Sequence, residues 1–261
     1  MAALDPHRFE IPLYTVGAAT RIVDVHRATL STWTRSYRRG GANGRSTLTD
    51  PIITRLRPER PRYPCIPFIG LAEALVLAAV RRSGVPMQRI RPALKVLEQE
   101  IGLKHALASR SLYTDGAELL YDYADKQSSM GESDLVMQLV VVRSGQRVFK
   151  EAVMEYLSRI EYASDGYAAR IRVPAYTKAE VVADPEMSYG SPIFARGGCR
   201  VDDVLHRFSA GESIKSLERE FGVPFDELED VVRVTSRWAA HSPRQQDRED
   251  SNQASTDGKV C

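Results

Sequence analysis

The 261-residue chain is poor in cysteine and has no long apolar run, and both absences limit its class. Its three cysteines, Cys65, Cys199 and Cys261, are odd in number and form no Cys-x-x-Cys pair. This spacing indicates neither a disulfide framework nor a zinc site, and it fits a reducing compartment. No stretch reaches the roughly 20 apolar residues of a membrane span, and the first residues lack the basic-then-apolar pattern of a secretory signal. We therefore expect a cytoplasmic protein that does not enter a membrane.

The sequence also lacks the signatures of common enzymes. It contains no P-loop, Gly-x-Ser-x-Gly or Gly-x-Gly-x-x-Gly string. None of its five histidines lies three or four residues from another histidine or a cysteine, so no metal site is predicted. Asp202, Asp203 and Glu212 resemble a magnesium cluster, but acids that follow a Gly-Gly turn are better explained as the start of a helix. We expect no cofactor, no catalytic residue and no enzymatic activity.

Positive charge is concentrated near the N-terminus. The whole chain carries a formal net charge of only +2. Between residues 20 and 62, however, there are ten arginines, no lysine and three acids, which gives 10 − 3 = +7. Such a field indicates a partner with negative charge, and the remainder of the chain is acidic in compensation.

A helix-turn-helix is predicted inside this basic region. The pattern indicates a short helix over 15–22 with Thr15 as N-cap, a Val-Asp-Val turn, and a second helix over 26–38. At about 100° per residue, Leu30, Trp33 and Tyr37 share a sector of roughly 60° on the second helix. We expect a small core in which Leu30 and Trp33 pack on residues of the first helix and the turn, namely Val16, Ala19, Ile22 and Val25.

The opposite face of the second helix carries guanidinium groups and no carboxylate. Arginine matches phosphate oxygens and the O6/N7 edge of guanine, and a helix in the major groove reaches both. A solvated basic surface helix is the alternative, but the short preceding helix and the scarcity of acids favour DNA. Arginines in the proline-rich segment that follows are either a solvated linker or an arm that tracks phosphates. The predicted DNA-binding residues are Thr15, Arg21, Arg27, Ser31, Arg35, Arg38, Arg39, Arg55, Arg57 and Arg60.

The remaining pattern predicts a mainly helical α+β chain. Residues 1–13 are expected to be irregular and residues 38–47 to form a loop. Further elements are a short strand in "PIITRL", helices over 68–84 and 86–101, hairpins in "SLYTDGAELLYDY" and "LVMQLVVVRSGQRVF", a helix in "FKEAVMEYLSRIEY" and a strand in "YAARIRV".

A second helical unit is predicted to begin near Val181. Three segments with helical period are separated by Gly211 and Gly222. Although their spacing also suits a helix-turn-helix, the last helix begins with acids that repel phosphate. Protein contact or dimerisation is therefore favoured over DNA binding, with a purely structural cap as the alternative. The polar residues after His241 are expected to be disordered.

Two stretches resemble known families. "YTVGAATRIVDVHRATLSTWTR" is similar to the opening of MerR-type regulators, and "FIGLAEALVLAAVRRSGVPMQRIRPALKVLEQEIG" extends that similarity. "VVADPEMSYGSPIFARGGCRVDDVLHRFSAGESIKSLEREFGVPFDELEDVVR" resembles the small helical domain of VapB-type antitoxins. Together these resemblances imply a MerR-like winged helix-turn-helix joined to an antitoxin domain. They further imply a PIN-domain ribonuclease toxin as partner, repression of the chain's own operon, and a homodimer or a toxin–antitoxin hetero-oligomer.

We thus expect four regions. They are a winged helix-turn-helix over 1–66, a helix pair with β-hairpins over 67–178, a three-helix antitoxin-like domain over 179–240 and a tail over 241–261. The predicted function is neutralisation of a toxin together with binding of double-stranded operator DNA. Two other functions stay open at this point: a MerR-like regulator that responds to a small effector without a toxin, and an enzyme or RNA-processing factor, which the lack of a catalytic constellation disfavours.

Overall fold

A computed structural model of the chain describes residues 5–40, 46–82, 94, 104–112 and 153–241. The second predicted hairpin lies outside these residues, as does the first apart from Ser111 and Leu112, which are helical. The predicted tail also lies outside them apart from His241, which ends the last helix, and so does the predicted helix 86–101 apart from the buried, helical Leu94. The chain divides into two compact units. The first comprises Met1–Ala175 with Val181–Ile193, and the second comprises Tyr176–Glu180 with Phe194–Cys261.

The first unit combines short helices with two antiparallel β-structures. Its elements are α1 (Pro6–Phe9), α2 (Val16–Val23), α3 (Arg27–Trp33), β1 (Tyr37–Gly40), β2 (Ser46–Thr49), α4 (Phe68–Arg82), β3 (Ile160–Tyr162), β4 (Ala168–Arg172), β5 (Val181–Ala183) and β6 (Ile193–Phe194), which ends at the boundary with the second unit. Strands β1 and β2 pair with each other, and the other four form one sheet in the order β3-β4-β5-β6. The fold is therefore α+β with an N-terminal helix-turn-helix.

The helix predicted over 26–38 is wrong in its C-terminal half. Helix α3 ends at Trp33, and Arg38 and Arg39 lie on strand β1 opposite Leu48 and Thr47. The backbone N–H of Ile52 donates to the carbonyl of Trp33, with 2.9 Å between nitrogen and oxygen. The carbonyl of Trp33 therefore accepts its hydrogen bond from Ile52 and not from a further helical turn. The residues beyond it pair with β2 instead of continuing the helix. The periodicity of the sequence does not reveal that Ile52 and β2 end the helix, because both lie more than ten residues away along the chain.

Three further local predictions are wrong. The N-terminal lead-in contains α1, which begins where Asp5 caps the N–H of His7 with 3.0 Å between the atoms. "PIITRL" forms no strand; it is extended chain held by hydrogen bonds to neighbouring elements. In "FKEAVMEYLSRIEY" the described helix covers only 153–157, after which β3 pairs with β4, as Ile160 does with Ile171.

Helix α4 is the centre of the first unit. It begins at Phe68 as predicted, and every residue from Phe68 to Val80 is buried. Gly70 allows the extended chain to pass closely, since a Cβ there would lie 2.3 Å from the carbonyl oxygen of Thr54. The long apolar run is thus a core helix, as the sequence indicates.

The second unit contains the three predicted helices, α5 (Val201–Ser209), α6 (Ile214–Phe221) and α7 (Phe225–His241). Gly222 ends α6 with φ of 65°, the left-handed conformation expected of glycine at this position. The buried valine and leucine residues of the second unit are few: Val201, Val204, Leu217, Val223, Leu228 and Val231.

Asp230 fastens the chain segment 177–179 to helix α7. Its buried carboxylate accepts hydrogen bonds from the N–H groups of Thr177, Lys178 and Ala179 at 2.8, 2.7 and 3.1 Å. Burial by itself raises the pKa of this carboxyl, but the hydrogen bonds outweigh it and the pKa lies below its usual value. The charged form is therefore favoured in the folded state.

We expect Asp230→Asn to lower the free energy of unfolding of this unit by about 2–3 kcal/mol at neutral pH, because a neutral amide replaces a charged acceptor of three N–H groups. Since the folded pKa is lowered, this contribution is present above the unfolded pKa and is lost as pH falls through the folded one. Urea unfolding of both proteins between pH 7 and pH 2 measures it. A difference that stays constant over this range would contradict the assignment.

Candidate nucleic-acid interface

Helices α2 and α3 form a helix-turn-helix around a small apolar core. Thr15 caps α2 as predicted, since its Oγ1 accepts from the N–H of Ala18 at 3.1 Å. The buried residues of the two helices are Ala19, Ile22, Val23, Leu30 and Trp33. Val16 and Val25, predicted for this core, are half-buried, and Val23 was not predicted. The core confirms the pairing of the two helices.

The turn between the helices is held by two arginines at the end of α4. Arg82 Nη2 donates to the carbonyl oxygen and to Oδ2 of Asp24, both at 2.8 Å, and Arg81 donates to Oγ1 of Thr29. Asp24 has φ of 52°, so this residue takes a left-handed turn that the two bonds maintain. The sequence shows these arginines only as the basic end of an apolar helix, which is why their role was not predicted.

His26 is the N-cap residue of α3. Its Nδ1 accepts from the N–H of Ala28 at 3.3 Å, so the imidazole acts as the cap. Helix α3 therefore has a defined start.

The outer face of α3 carries one arginine, and a second follows the helix end. Arg27, Ala28 and Thr32 are exposed and Ser31 is half-buried, while Arg35 is exposed two residues beyond the helix end. Within the described part of the chain, no carboxylate pairs with the guanidinium groups of Arg27 or Arg35. The charge of this face is available to an external anion.

Strand β1 follows α3 after three residues and carries two of the predicted contacts. Arg38 and Arg39 lie in the antiparallel pair that β1 forms with β2. The structure thus separates the predicted arginine face into a helical part, which ends near Arg35, and a hairpin part.

The proline-rich segment after β2 forms a closed loop, residues 57–64, which we call the arginine loop. The N–H of Leu56 donates to the carbonyl of Cys65 at 2.8 Å and closes its base. Cys65 and Ile66 then donate to the carbonyl of Tyr14 at 2.9 and 3.0 Å, directly before Thr15. Because these are backbone bonds, the arginine loop is joined firmly to the start of α2.

The arginines in the arginine loop and directly before it are solvent-exposed. Arg57 and Arg60 are exposed, and neither is paired with an acid among the residues that the structure describes. Arg55 is also exposed, and its Nη1 donates to the carbonyl of Thr34 at 3.5 Å. Arg21 is exposed on α2. Within the described part of the chain, six exposed arginines on or near the helix-turn-helix have no carboxylate partner: Arg21, Arg27, Arg35, Arg55, Arg57 and Arg60.

A buried polar cluster positions the start of this segment. Glu73, on α4, accepts from Thr54 Oγ1 at 3.0 Å and is bonded to Nδ1 of His105 at 2.8 Å. Glu73 is almost fully buried, so this carboxylate is the reason that the extended chain lies against α4. Its position inside an apolar helix was visible in the sequence, but its two partners were not.

The arginines of the second unit behave differently. Arg207 is bonded to Glu212 at 2.7 Å and to Glu220 through Nη2 and Oε2 at 2.6 Å, which lowers the pKa of Glu220. Arg233 pairs with Glu229 at 3.0 Å. Asp226 and Glu227 occupy the first turn of α7, where the sequence predicted acids. Charge in this unit is mostly satisfied internally, in contrast to the helix-turn-helix.

The described residues offer neither a membrane span nor a metal site. Across those parts of the chain, no helix is long and apolar enough to span a membrane. The same residues contain no group of three histidine, cysteine, aspartate or glutamate side chains arranged to hold a metal ion.

Comparison with known proteins agrees with this geometry. Residues 12–94, which contain the helix-turn-helix, the hairpin and α4, match the family described as "Putative DNA-binding HTH domain". The chain is 47% identical over 226 residues to "Putative antitoxin VapB45" of Mycobacterium tuberculosis, which covers 86% of the chain and 94% of that relative. The chain belongs to the VapB45 family of antitoxins. Because an antitoxin with a DNA-binding helix-turn-helix is a regulator, this family membership also means that the chain is not an enzyme.

A solved structure shares the fold of this family. The X-ray crystal structure of Rv2018 from Mycobacterium tuberculosis is 40% identical, with a TM-score of 0.68. The match covers 86% of the chain and 99% of that structure. The similarity therefore extends over both units rather than over the helix-turn-helix alone.

Proposed function

We propose that this protein is an antitoxin that binds operator DNA through α3 and represses its own operon. The observation that carries the proposal is the set of exposed arginines on and around the capped, well-packed helix α3, which have no carboxylate partner among the described residues. An exposed guanidinium gains more from a phosphate or a guanine edge than a paired one, since no internal ion pair has to be broken.

In this proposal α3 contacts bases, and α2 and the β1–β2 hairpin contact the DNA backbone. Arg27 and Ser31 lie on α3 and read bases in the major groove, and Arg35 extends this face beyond the helix. Thr15 and Arg21 on α2 contact phosphate. Arg38 and Arg39 place the β1–β2 hairpin as a MerR-like wing on the flanking backbone. One such module reads few base pairs, so we infer a homodimer on a palindromic site.

The arginine loop supplies non-specific affinity. We expect Arg57→Ala to weaken binding to promoter and unrelated DNA by the same factor, and to flatten the slope of log K against log salt by about 1, because one phosphate contact releases about one counterion. Arg60→Ala is expected to act alike. Anisotropy titrations at four salt concentrations measure the slopes. A loss confined to the promoter sequence would show instead that Arg57 reads bases.

The second half of the proposal is neutralisation of a PIN-domain ribonuclease toxin. It is supported by the name of the VapB45 relative and by the resemblance of the C-terminal unit to antitoxin domains. The test uses the product of the reading frame adjacent to this gene. We expect it to degrade RNA alone and to lose that activity when mixed with an equimolar amount of this chain. An adjacent product without ribonuclease activity would instead favour a regulator without a toxin.

A further inference from the structure

The loop between β5 and β6 exposes two large apolar side chains that DNA binding does not use. Tyr189 is 84% exposed and Met187 is 41% exposed, whereas most large apolar residues of this unit are buried. An isolated exposed side chain is ordinary, but two from one short loop mark a candidate contact surface. We call residues 184–190 with these two side chains the tyrosine knob.

The backbone of the tyrosine knob is strained. Ser188, Tyr189 and Gly190 have φ values of 49°, 52° and 74°, three consecutive residues in the left-handed region. This region is unfavourable for serine and tyrosine, so the surrounding structure must impose it. Strain of this kind persists at sites that present a side chain in one orientation.

Several hydrogen bonds impose the conformation. The hydroxyl of the buried Tyr14 donates to the carbonyl of Gly190 at 2.8 Å. The N–H of Glu186 donates to Oδ1 of Asp184 at 2.9 Å, and that of Met187 to the Asp184 carbonyl at 3.0 Å. A Cβ on Gly190 would lie 2.3 Å from the Tyr14 hydroxyl, so only glycine fits. The aromatic ring therefore projects from a preorganised support, which reduces the entropy cost of binding.

The surroundings of the tyrosine knob are acidic. Arg170 donates to Asp184 at 3.0 Å and to Glu161 at 3.4 Å. The negative charge of Glu186 also contributes to raising the pKa of Arg170. Two of these three carboxylates, Asp184 and Glu186, belong to the tyrosine knob itself, and together with Glu161 and Arg170 the group carries a net charge of 1 − 3 = −2. A nucleic acid is repelled by this arrangement, whereas a basic protein surface is attracted.

We propose that the tyrosine knob docks on the RNA-binding face of the ribonuclease toxin. The inference rests on the proposed antitoxin function. A ribonuclease holds a polyanion, so its substrate face carries basic side chains, and unpaired bases stack on apolar or aromatic surfaces. The ring of Tyr189 takes the place of a base, and Glu161 and Glu186 take the place of phosphates. Docking in this way excludes RNA by occupying the same surface.

The experiment measures the dissociation constant between this full-length chain and the purified product of the adjacent reading frame. We expect Tyr189→Ala to weaken binding about 30-fold, as for an aromatic interface anchor, and Tyr189→Phe to stay near wild type because the ring remains. Ile11→Ala, which removes another exposed apolar side chain of the same unit, is the control and should not change the constant. Circular dichroism of each variant verifies folding.

Charge and competition provide a second readout. Glu186→Lys should slow association several-fold and remove part of its salt dependence, and single-stranded RNA should compete with the wild-type chain for the toxin. If the adjacent product binds the wild-type chain and Tyr189→Ala binds equally well, the inference is wrong and the antitoxin function stands. If the wild-type chain does not bind the adjacent product, both are wrong. If Tyr189→Ala instead changes the mass of the chain alone in solution, the tyrosine knob is a self-association surface and the inference is overturned.

Discussion

Simultaneous replacement of Arg27 and Arg35 by alanine is expected to weaken binding to the chain's own promoter fragment by about 100-fold or more. Each bidentate contact of an arginine with a guanine edge contributes about 1–3 kcal/mol of discrimination. Both side chains are exposed on or directly after α3, and no acid among the described residues competes for them. Fluorescence anisotropy at one salt concentration measures the loss.

Arg219→Ala is the matched control for this experiment. Arg219 is an exposed arginine on α6, the second helix of the C-terminal unit, whose spacing also suits a helix-turn-helix. We expect its replacement to leave promoter affinity unchanged. Unchanged affinity and base preference in the double variant would show that α3 is not the reading helix. A loss on replacing Arg219 would transfer that role to the C-terminal unit.

The second large effect is expected from the core behind the reading helix. Trp33→Ala should lower the free energy of unfolding of the first unit by about 3–5 kcal/mol, because a large side chain that is only 2% exposed is removed and leaves a cavity. Leu30 and Ile22, buried in the same core, cannot fill this volume without moving α3. Thermal and urea unfolding measure the change, and promoter affinity should fall with it.

Thr32→Ala separates packing from surface chemistry on the same helix. Thr32 is exposed, and among the described residues its Oγ1 donates only to the carbonyl of Ala28, at 2.9 Å. Its replacement should change stability by about 0.5 kcal/mol or less. Equal losses for Thr32→Ala and Trp33→Ala would mean that α3 is not held by the Trp33 side.

Local signals in the sequence predicted much of the helix-turn-helix. Thr15 as a cap, the Val-Asp-Val turn and the burial of Leu30 and Trp33 all follow from short-range patterns, and the structure confirms them. The same holds for the three C-terminal helices, where Gly222 provides the break before the last one. Short-range physics determines these features, since capping and periodicity act within a few residues.

The features that were predicted wrongly or missed depend on contacts between residues distant in sequence. The helix predicted to reach Arg38 ends at Trp33 because Ile52 and strand β2 take the following residues. Glu73 looked anomalous in an apolar helix, and only the fold shows that it holds Thr54 and His105. The candidate contact residues Arg57 and Arg60 were found by charge alone, but their closed loop, joined to Tyr14, needed the structure.

The central claim is that α3 makes this protein a sequence-specific DNA-binding antitoxin, and one titration tests it most directly. The wild-type chain is titrated with its own promoter fragment and with a scrambled duplex of the same length and composition, between about 50 and 200 mM salt. We predict affinity for the promoter at least about 1,000-fold above that for the scrambled duplex, with both falling steeply as salt rises. Equal affinity for the two duplexes, or binding that does not depend on salt, would contradict the claim.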